Sequence, residues 1–348
     1  MTALFQTIAP EAREVPGATL RIAYYEGVRG LAIIAVVAIH SSGDGIAFAV
    51  NGLGDPNFLF TLGLKQALVF AVPVFFFLSG YFSTTNIGPR LSRVGIPYLL
   101  WSVVASVLLG ARDPVTILGK ILTGSAVGPY YFMLDLLALI ALTPLIARAL
   151  RHPAGLPLCL GIGLAHVLLC YVALAVDSKL NWWWYMISPT AWLPYYALGM
   201  ARKLSAKAPS ATRARMLGAL ALAGLALSCL EGFVLFAHFG GGGGTLQPIK
   251  LSSMLYALVV CELVLALRGK VEFPSWLCWI GSVSFGIYLL HELVRSRIAG
   301  PLREIPALYD VQPLFQGLVV TLTIIACVIV IALSRRVLGG LSQRILGL

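Results

Sequence analysis

Charge is what this sequence has least of. Only 11% of its 348 residues are Asp, Glu, Lys or Arg, whereas 59% are hydrophobic and the mean hydropathy is +0.90. Soluble globular chains are about one quarter charged, so an ordinary cytosolic enzyme is excluded. Acidic residues are scarcer still, 14 against 25 basic ones. That excess forms no patch: Lys and Arg punctuate the gaps between apolar runs, a mark of membrane topology and not of nucleic-acid binding. The six cysteines (Cys159, Cys170, Cys229, Cys261, Cys278, Cys327) lie in or beside apolar runs without a CxxC, excluding a disulfide framework and a zinc site. His166 has no second His at i+4, and no metal site is read elsewhere. The run Gly240–Gly244 is not followed by Lys-Ser/Thr, so it reads as a flexible outer hinge and not as a phosphate loop. The first 19 residues lack the apolar core of a signal peptide, and residues 1–20 read as a retained cytoplasmic tail.

What is present is a series of apolar segments bounded by charge, Pro or Gly. They run Gly27–Ser42, Leu59–Phe82, Val94–Gly110, Tyr130–Leu150, Leu156–Val176, Met186–Ala201, Met216–Phe239, Leu251–Leu267, Trp276–Leu293 and Leu314–Leu333. At about 20 residues per crossing this predicts an all-α polytopic membrane protein of about ten transmembrane helices. Met186–Ala201 is the weakest of them, short and carrying Pro189 and Pro194. Residues 1–348 then read as one membrane domain, with no room for a fused soluble domain. With the N-terminus inside, the segments facing the cytoplasm hold sixteen Lys/Arg and the outer ones seven, which places both termini in the cytoplasm. The aromatic group Trp182, Trp183, Trp184 and Tyr185 reads as an interfacial belt.

Two ionisable residues inside the first span carry the functional reading. Arg29 and His40 are 11 positions apart, about 16 Å of rise and three turns plus about 20° of rotation, so both side chains share one helix face. Ionisable groups within a span are expensive and generally face a cavity. An imidazole there suits a general base or transient nucleophile, with an interhelical hydrogen bond as the plain structural alternative. Asp44, four residues on, orients the ring if the helix continues, and otherwise is a loop carboxylate. Arg90 and Arg93, at i and i+3, share a helix face and serve either as positive-inside anchors or as phosphate-binding forks. Asp135, Glu231 and Glu262 lie in or near apolar runs, where each is either paired or lines a polar cavity.

The segment Tyr25-Glu26-Gly27-Val28-Arg29-Gly30-Leu31-Ala32, with His40 closing an R-x10-H spacing, resembles the first span of the acyltransferase family 3 membrane enzymes. Val72–Phe82 resembles that family's second span, Arg90-Leu91-Ser92-Arg93 its RxxR entry to the third, and Ser284–His291 its late span. The resemblance implies a ten-helix fold that takes an acyl group, commonly acetyl, from cytoplasmic acyl-CoA to a hydroxyl of a glycan or surface polysaccharide precursor. It implies His40 as the catalytic histidine and Arg29, Arg90 and Arg93 as the cations of the donor site, with acetyl-CoA as donor substrate and no metal. Asp44, Ser79, Tyr288 and His291 are the substrate-side candidates. The implied surroundings are the lipid bilayer of a bacterial inner membrane, a carbohydrate acceptor that is lipid-linked in some settings, and no nucleic acid. The sequence departs from the family pattern at Pro129-Tyr130-Tyr131-Phe132-Met133, where a His-Leu-Trp-like group is usual, and at Glu292, which replaces a Pro. A glycan or small-solute transporter, or a non-catalytic relative aiding polysaccharide export, is the competing reading; internal repeats and broken central helices would favour transport.

Overall fold

The computed structural model describes residues 16–177, 183–204, 210–240 and 248–348. Their regular structure is all helical, with no strand among the described residues. In chain order the helices are α1 (Pro16–Ser41), α2 (Pro56–Leu68), α3 (Ala71–Tyr81), α4 (Gly88–Leu108), α5 (Pro114–Leu122), α6 (Tyr131–Ala141), α7 (Thr143–Ala149), α8 (Gly155–Val176), α9 (Trp183–Met186), α10 (Pro189–Leu204), α11 (Ala211–Phe239), α12 (Leu251–Leu267), α13 (Ser275–Ser282), α14 (Ser284–Arg303), α15 (Pro306–Tyr309) and α16 (Gln312–Leu338). A 3-10 segment, Asp44–Asn51, follows α1. Helix α1 reaches back to Pro16, into the stretch read as a tail.

Six helical segments among the described residues are long and apolar enough to cross a bilayer: Ile22–Ser41, Pro56–Tyr81, Gly88–Leu108, Gly155–Val176, Ala211–Phe239 and Gln312–Leu338. Two further pairs, α6 with α7 and α13 with α14, pass together but bend by 58° and 77°, giving up to eight spans. The first bend falls at Leu142, where Pro144 lacks the N–H a continuing helix needs. The remaining two of the ten expected segments are helices of 17 residues (α12) and 16 residues (α10). At 1.5 Å per residue these rise about 24–26 Å, short of a hydrocarbon core of about 30 Å.

Burial separates centre from rim. In Ile22–Ser41, 61% of the apolar window is buried, against 22% in each of Ala211–Phe239 and Gln312–Leu338. The rim helices turn Leu222, Leu230, Val234, Ile325, Ile329 and Leu333 outward, as lipid-facing helices do. The core is aromatic and continuous: Tyr25, Phe76, Phe77, Tyr130, Trp192 and Tyr196 are all fully buried.

Two glycine crossings hold the centre together. A Cβ on Gly80 of α3 would stand 2.1 Å from the Tyr196 carbonyl of α10, and one on Gly199 of α10 would stand 2.1 Å from the Phe77 carbonyl of α3. Between α1 and α13 the pattern repeats, with Gly30 against the Leu277 carbonyl at 2.3 Å and Gly281 against the Glu26 carbonyl at 1.8 Å. Small residues at such points let backbones approach closely, the commonest device of helix association in lipid. Gly163 of α8 likewise receives the ring of Pro194, which accommodates a proline inside α10.

Candidate active site

The two crossings flank a cavity of about 530 Å³, within the range of small-molecule sites. Its polar lining is Arg29, Ser79, Thr84, Arg90, Arg93, Ser282, Ser284 and Tyr288, and Phe75, Phe82, Phe132, Leu136, Ile140 and Phe285 are among its apolar walls. Arg29 immediately precedes Gly30 and Ser79 immediately precedes Gly80, so the close contacts fix the main chain beside each.

The three arginines stand in different states. Arg29 pairs with Glu26 one turn back at 2.7 Å, and its guanidinium lies over the Phe82 ring, 5.6 Å from the centroid. Arg90, in the first turn of α4, donates to the Ser79 carbonyl (2.9 Å), to Ser79 Oγ (3.0 Å) and to the Tyr196 hydroxyl (3.2 Å). Tyr196 in turn shares a hydrogen bond with Thr143 at 2.7 Å. Arg93, one turn on, is exposed and makes no hydrogen bond or ion pair among the described residues. One guanidinium is thus held rigidly, one is tethered, and one is free to meet an anion, whose oxygens its fork suits.

His40 is not among the lining residues. It occupies the last turn of α1, with its ring centroid 5.3 Å from that of His291 on α14. The His291 ring lies 5.5 Å from Tyr288, and Tyr288 forms part of the cavity wall. The order is therefore cavity, Tyr288, His291, His40. The His40 ring has no hydrogen bond among the described residues. His291 is fully buried; its Nδ1 meets the Tyr288 carbonyl at 2.7 Å, and its Nε2 is buried without a partner. The Tyr288 hydroxyl donates to the Pro129 carbonyl.

Asp44 does not orient His40. α1 stops at Ser41, where Ser41 and Ser42 turn their hydroxyls onto the carbonyls of Val37 (2.8 Å) and Ile39 (2.7 Å), and Asp44 instead accepts from Arg303 at 2.9 Å. Side-chain bonds of this kind compete with helix continuation. Of the three acidic residues in apolar runs, Glu262 pairs with Arg202 and Arg213, and Glu231 accepts from Tyr171 and from Ser252. Asp135 is buried with Oδ2 unpartnered, on the same helix as the cavity-lining Phe132 and Leu136. His166 bonds Thr190 and the Tyr185 carbonyl, a packed polar residue. All six cysteines are free. Trp183 donates to the Thr123 carbonyl. Trp182 and residues 241–244 of the glycine run lie outside the described residues, and Gly240 ends α11 at φ 69°.

Sequence reasoning did not find Tyr196, which anchors Arg90 from 106 residues away, or the aromatic walls Phe82, Phe132 and Phe285. Lys65 was legible as a cation inside a span, without a role. Its Nζ stands 3.4 Å from both the Ile39 carbonyl and Ser42 Oγ, the residues flanking His40.

A family model described as an acyltransferase domain matches residues 22–334, nearly the whole chain. The chain belongs to acyltransferase family 3 and is a multi-pass, all-helical membrane acyltransferase in its general class. No curated protein and no solved structure matches it.

Proposed function

We propose that this protein moves an acetyl group from cytoplasmic acyl-CoA to a hydroxyl of a carbohydrate, a glycan or exopolysaccharide precursor, at the bacterial inner membrane. One observation supports it above the others. Arg29, Arg90 and Arg93, from two helices far apart in sequence, converge on a single cavity whose lining Tyr288 leads through His291 to His40. Anion-binding forks in the cavity and an unengaged imidazole beyond its Tyr288 wall suit a donor with phosphates at its head and a thioester at its tail.

In the reaction, Arg93 and Arg29 hold phosphate oxygens of the donor, while Arg90 keeps Ser79 and the start of α4 in place. The thioester passes Tyr288 toward His40. His40 takes the proton from the acceptor hydroxyl as its oxygen bonds to the thioester carbonyl carbon. The C–S bond then breaks, and the departing thiolate takes up a proton. In the alternative route the imidazole itself attacks, and an acetyl-imidazole hands the group to the acceptor. Either route places the acetyl group at the end of α1 opposite Arg29, so ten crossings with both termini inside would present it to an acceptor on the outer side.

The test is transfer from radiolabelled acetyl-CoA to glycan lipids in membranes containing wild type or His40→Ala at matched expression. Label on carbohydrate with wild type, and background with the variant, is the expected result. Normal transfer by the variant removes His40 from the mechanism. Absence of labelled glycan from both moves a transport or export role ahead.

A further inference from the structure

Around His40 the structure gathers cations faster than it gathers acids. Lys65 of α2 reaches the Ile39 carbonyl and Ser42 Oγ on either side of His40, at 3.4 Å each, and has no carboxylate partner among the described residues. Arg295, one turn beyond His291 on α14, is close enough to act electrostatically on His40, His291 and Lys65. Its Nε and one Nη are engaged by Glu292 at 2.9 and 2.5 Å, leaving its other Nη. Asp44 acts on Arg295 but is itself paired with Arg303. Among these five interacting side chains, Lys65, Arg295 and Arg303 face only Glu292 and Asp44, so one positive charge is left over. The leftover charge is that of Lys65, whose contacts are two long ones to neutral oxygens.

Cations drawn into a helical bundle are ordinarily paired, because desolvation without a partner is costly. His40, Lys65 and Arg295 nevertheless all retain partly accessible surface, so none of the three is sealed off by the bundle. The neighbouring His291 presents a second unfilled requirement, a fully buried Nε2 with no partner.

Building on the acyl-transfer reading, we infer that the acceptor delivered to His40 carries one negatively charged oxygen group, a carboxylate or a phosphodiester, seated on Lys65 and the free Nη of Arg295. A single anion completes the charge balance of the cluster. It sits apart from the Arg29–Arg90–Arg93 cavity, so donor and acceptor are held by separate sets of cations. The anchored anion sets which hydroxyl of the acceptor reaches His40, and Lys65 is therefore a substrate-positioning residue and not a catalytic one.

The experiment reads anion binding without turnover, with donor KM as a separate control. The thermal unfolding midpoint of the purified full-length protein in neutral detergent is followed against glucuronate, dimethyl phosphate and glucose, for wild type, Lys65→Met and Lys65→Arg. Selective binding raises the midpoint with ligand concentration. The expected result is an apparent affinity about tenfold or more tighter for at least one of the two anions than for glucose. That preference falls to near unity in Lys65→Met, returns in Lys65→Arg, and shrinks as salt is raised. Response to glucuronate alone assigns an acidic sugar, and response to dimethyl phosphate alone a phosphodiester-linked acceptor. Equal response of wild type to all three probes overturns the inference, as does an unchanged preference in Lys65→Met or a rise in its KM for acetyl-CoA. Because wild type alone carries the first comparison, poor folding of a variant does not rescue the idea. Failure of these arms with His40-dependent acetyl transfer intact would strike the anion seat and leave the acyltransferase reading standing.

Discussion

Arg90 and Arg93 are one helical turn apart, yet their contacts predict opposite consequences on substitution. Arg93→Ala removes a side chain with no partner among the described residues, so the unfolding midpoint should hold; on the acetyl-CoA reading proposed above, KM for that donor should rise about tenfold, the loss of one charge-assisted contact. Arg90→Ala leaves Ser79 and Tyr196 without their donor and should lower stability by about 1–3 kcal/mol in addition to weakening the donor. Unfolding curves and acetyl-CoA saturation kinetics on the same preparations separate the two. Both arginines were legible in the sequence, because their spacing on a helix is arithmetic. The partners of Arg90 were not, since a contact between residues 90 and 196 depends on how α3, α4 and α10 pack and leaves no trace in local spacing. At Asp44 the sequence left two readings, a ring orienter if the helix continued and a loop carboxylate if it did not. The second holds, because two consecutive serine hydroxyls end α1 three residues before it.

Helix crossings follow the same logic one level up. Gly80→Ala or Gly281→Ala would push a methyl to within 2.1 or 1.8 Å of a main-chain carbonyl. No side-chain rotation relieves such a contact, so each should cost about 1–3 kcal/mol or more and reduce the folded yield in detergent. Gly161→Ala in α8 and Gly218→Ala in α11 meet nothing within 4 Å and should be neutral or gain up to about 1 kcal/mol from helix propensity. Fluorescence-detected size exclusion with a thermal ramp would rank the four. Helix α5 offers a pH test. It has no buried residue, and Asp113 caps it by accepting from the Thr116 backbone N–H at 2.7 Å, which holds the carboxyl below its usual range. A depressed carboxyl contributes stability above its ordinary pKa and loses it as pH falls through the folded value. Amide exchange in Pro114–Leu122 should therefore be flat from about pH 7 to 5 and accelerate, beyond its intrinsic pH trend, below about pH 4. Asp113→Asn, which still caps without titrating, should abolish that step. All ten apolar segments read from the sequence fall on helices of the structure. The bends at Leu142 and Val283 were hidden because mean hydropathy runs through a break unchanged.

For the molecule as a whole, the count of crossings decides on which side the ends lie. Six, eight or ten spans put both termini on one side; nine put them on opposite sides. α10 and α12, at 16 and 17 residues, fall short of the length criterion, and the bent pairs α6–α7 and α13–α14 meet it only if each is one span. The Lys/Arg bias predicts that reporters fused at each end will both be cytoplasmic, so with each bent pair crossing once α10 and α12 either both cross or both do not. A reporter placed between them, at position 240, distinguishes the cases, since it reads outer only if both cross. Composition and charge placement made the membrane class legible, and four motifs in order made the family legible. The convergence of the arginines on one cavity needed the tertiary packing that brings α1 and α13 against α3 and α4.

Two of the helix pairs that border that cavity are held at a main-chain dimension. Where glycine meets carbonyl, the spacing of α1 from α13 and of α3 from α10 is set by backbone thickness, and side-chain changes elsewhere in the bundle have little leverage over either pair. The room between these two locked pairs is then written in the side chains that line it, Phe132, Leu136 and Ile140 among them. Descendants of this fold would change what that cavity admits by trimming or filling those side chains, while each glycine-locked pair keeps its spacing.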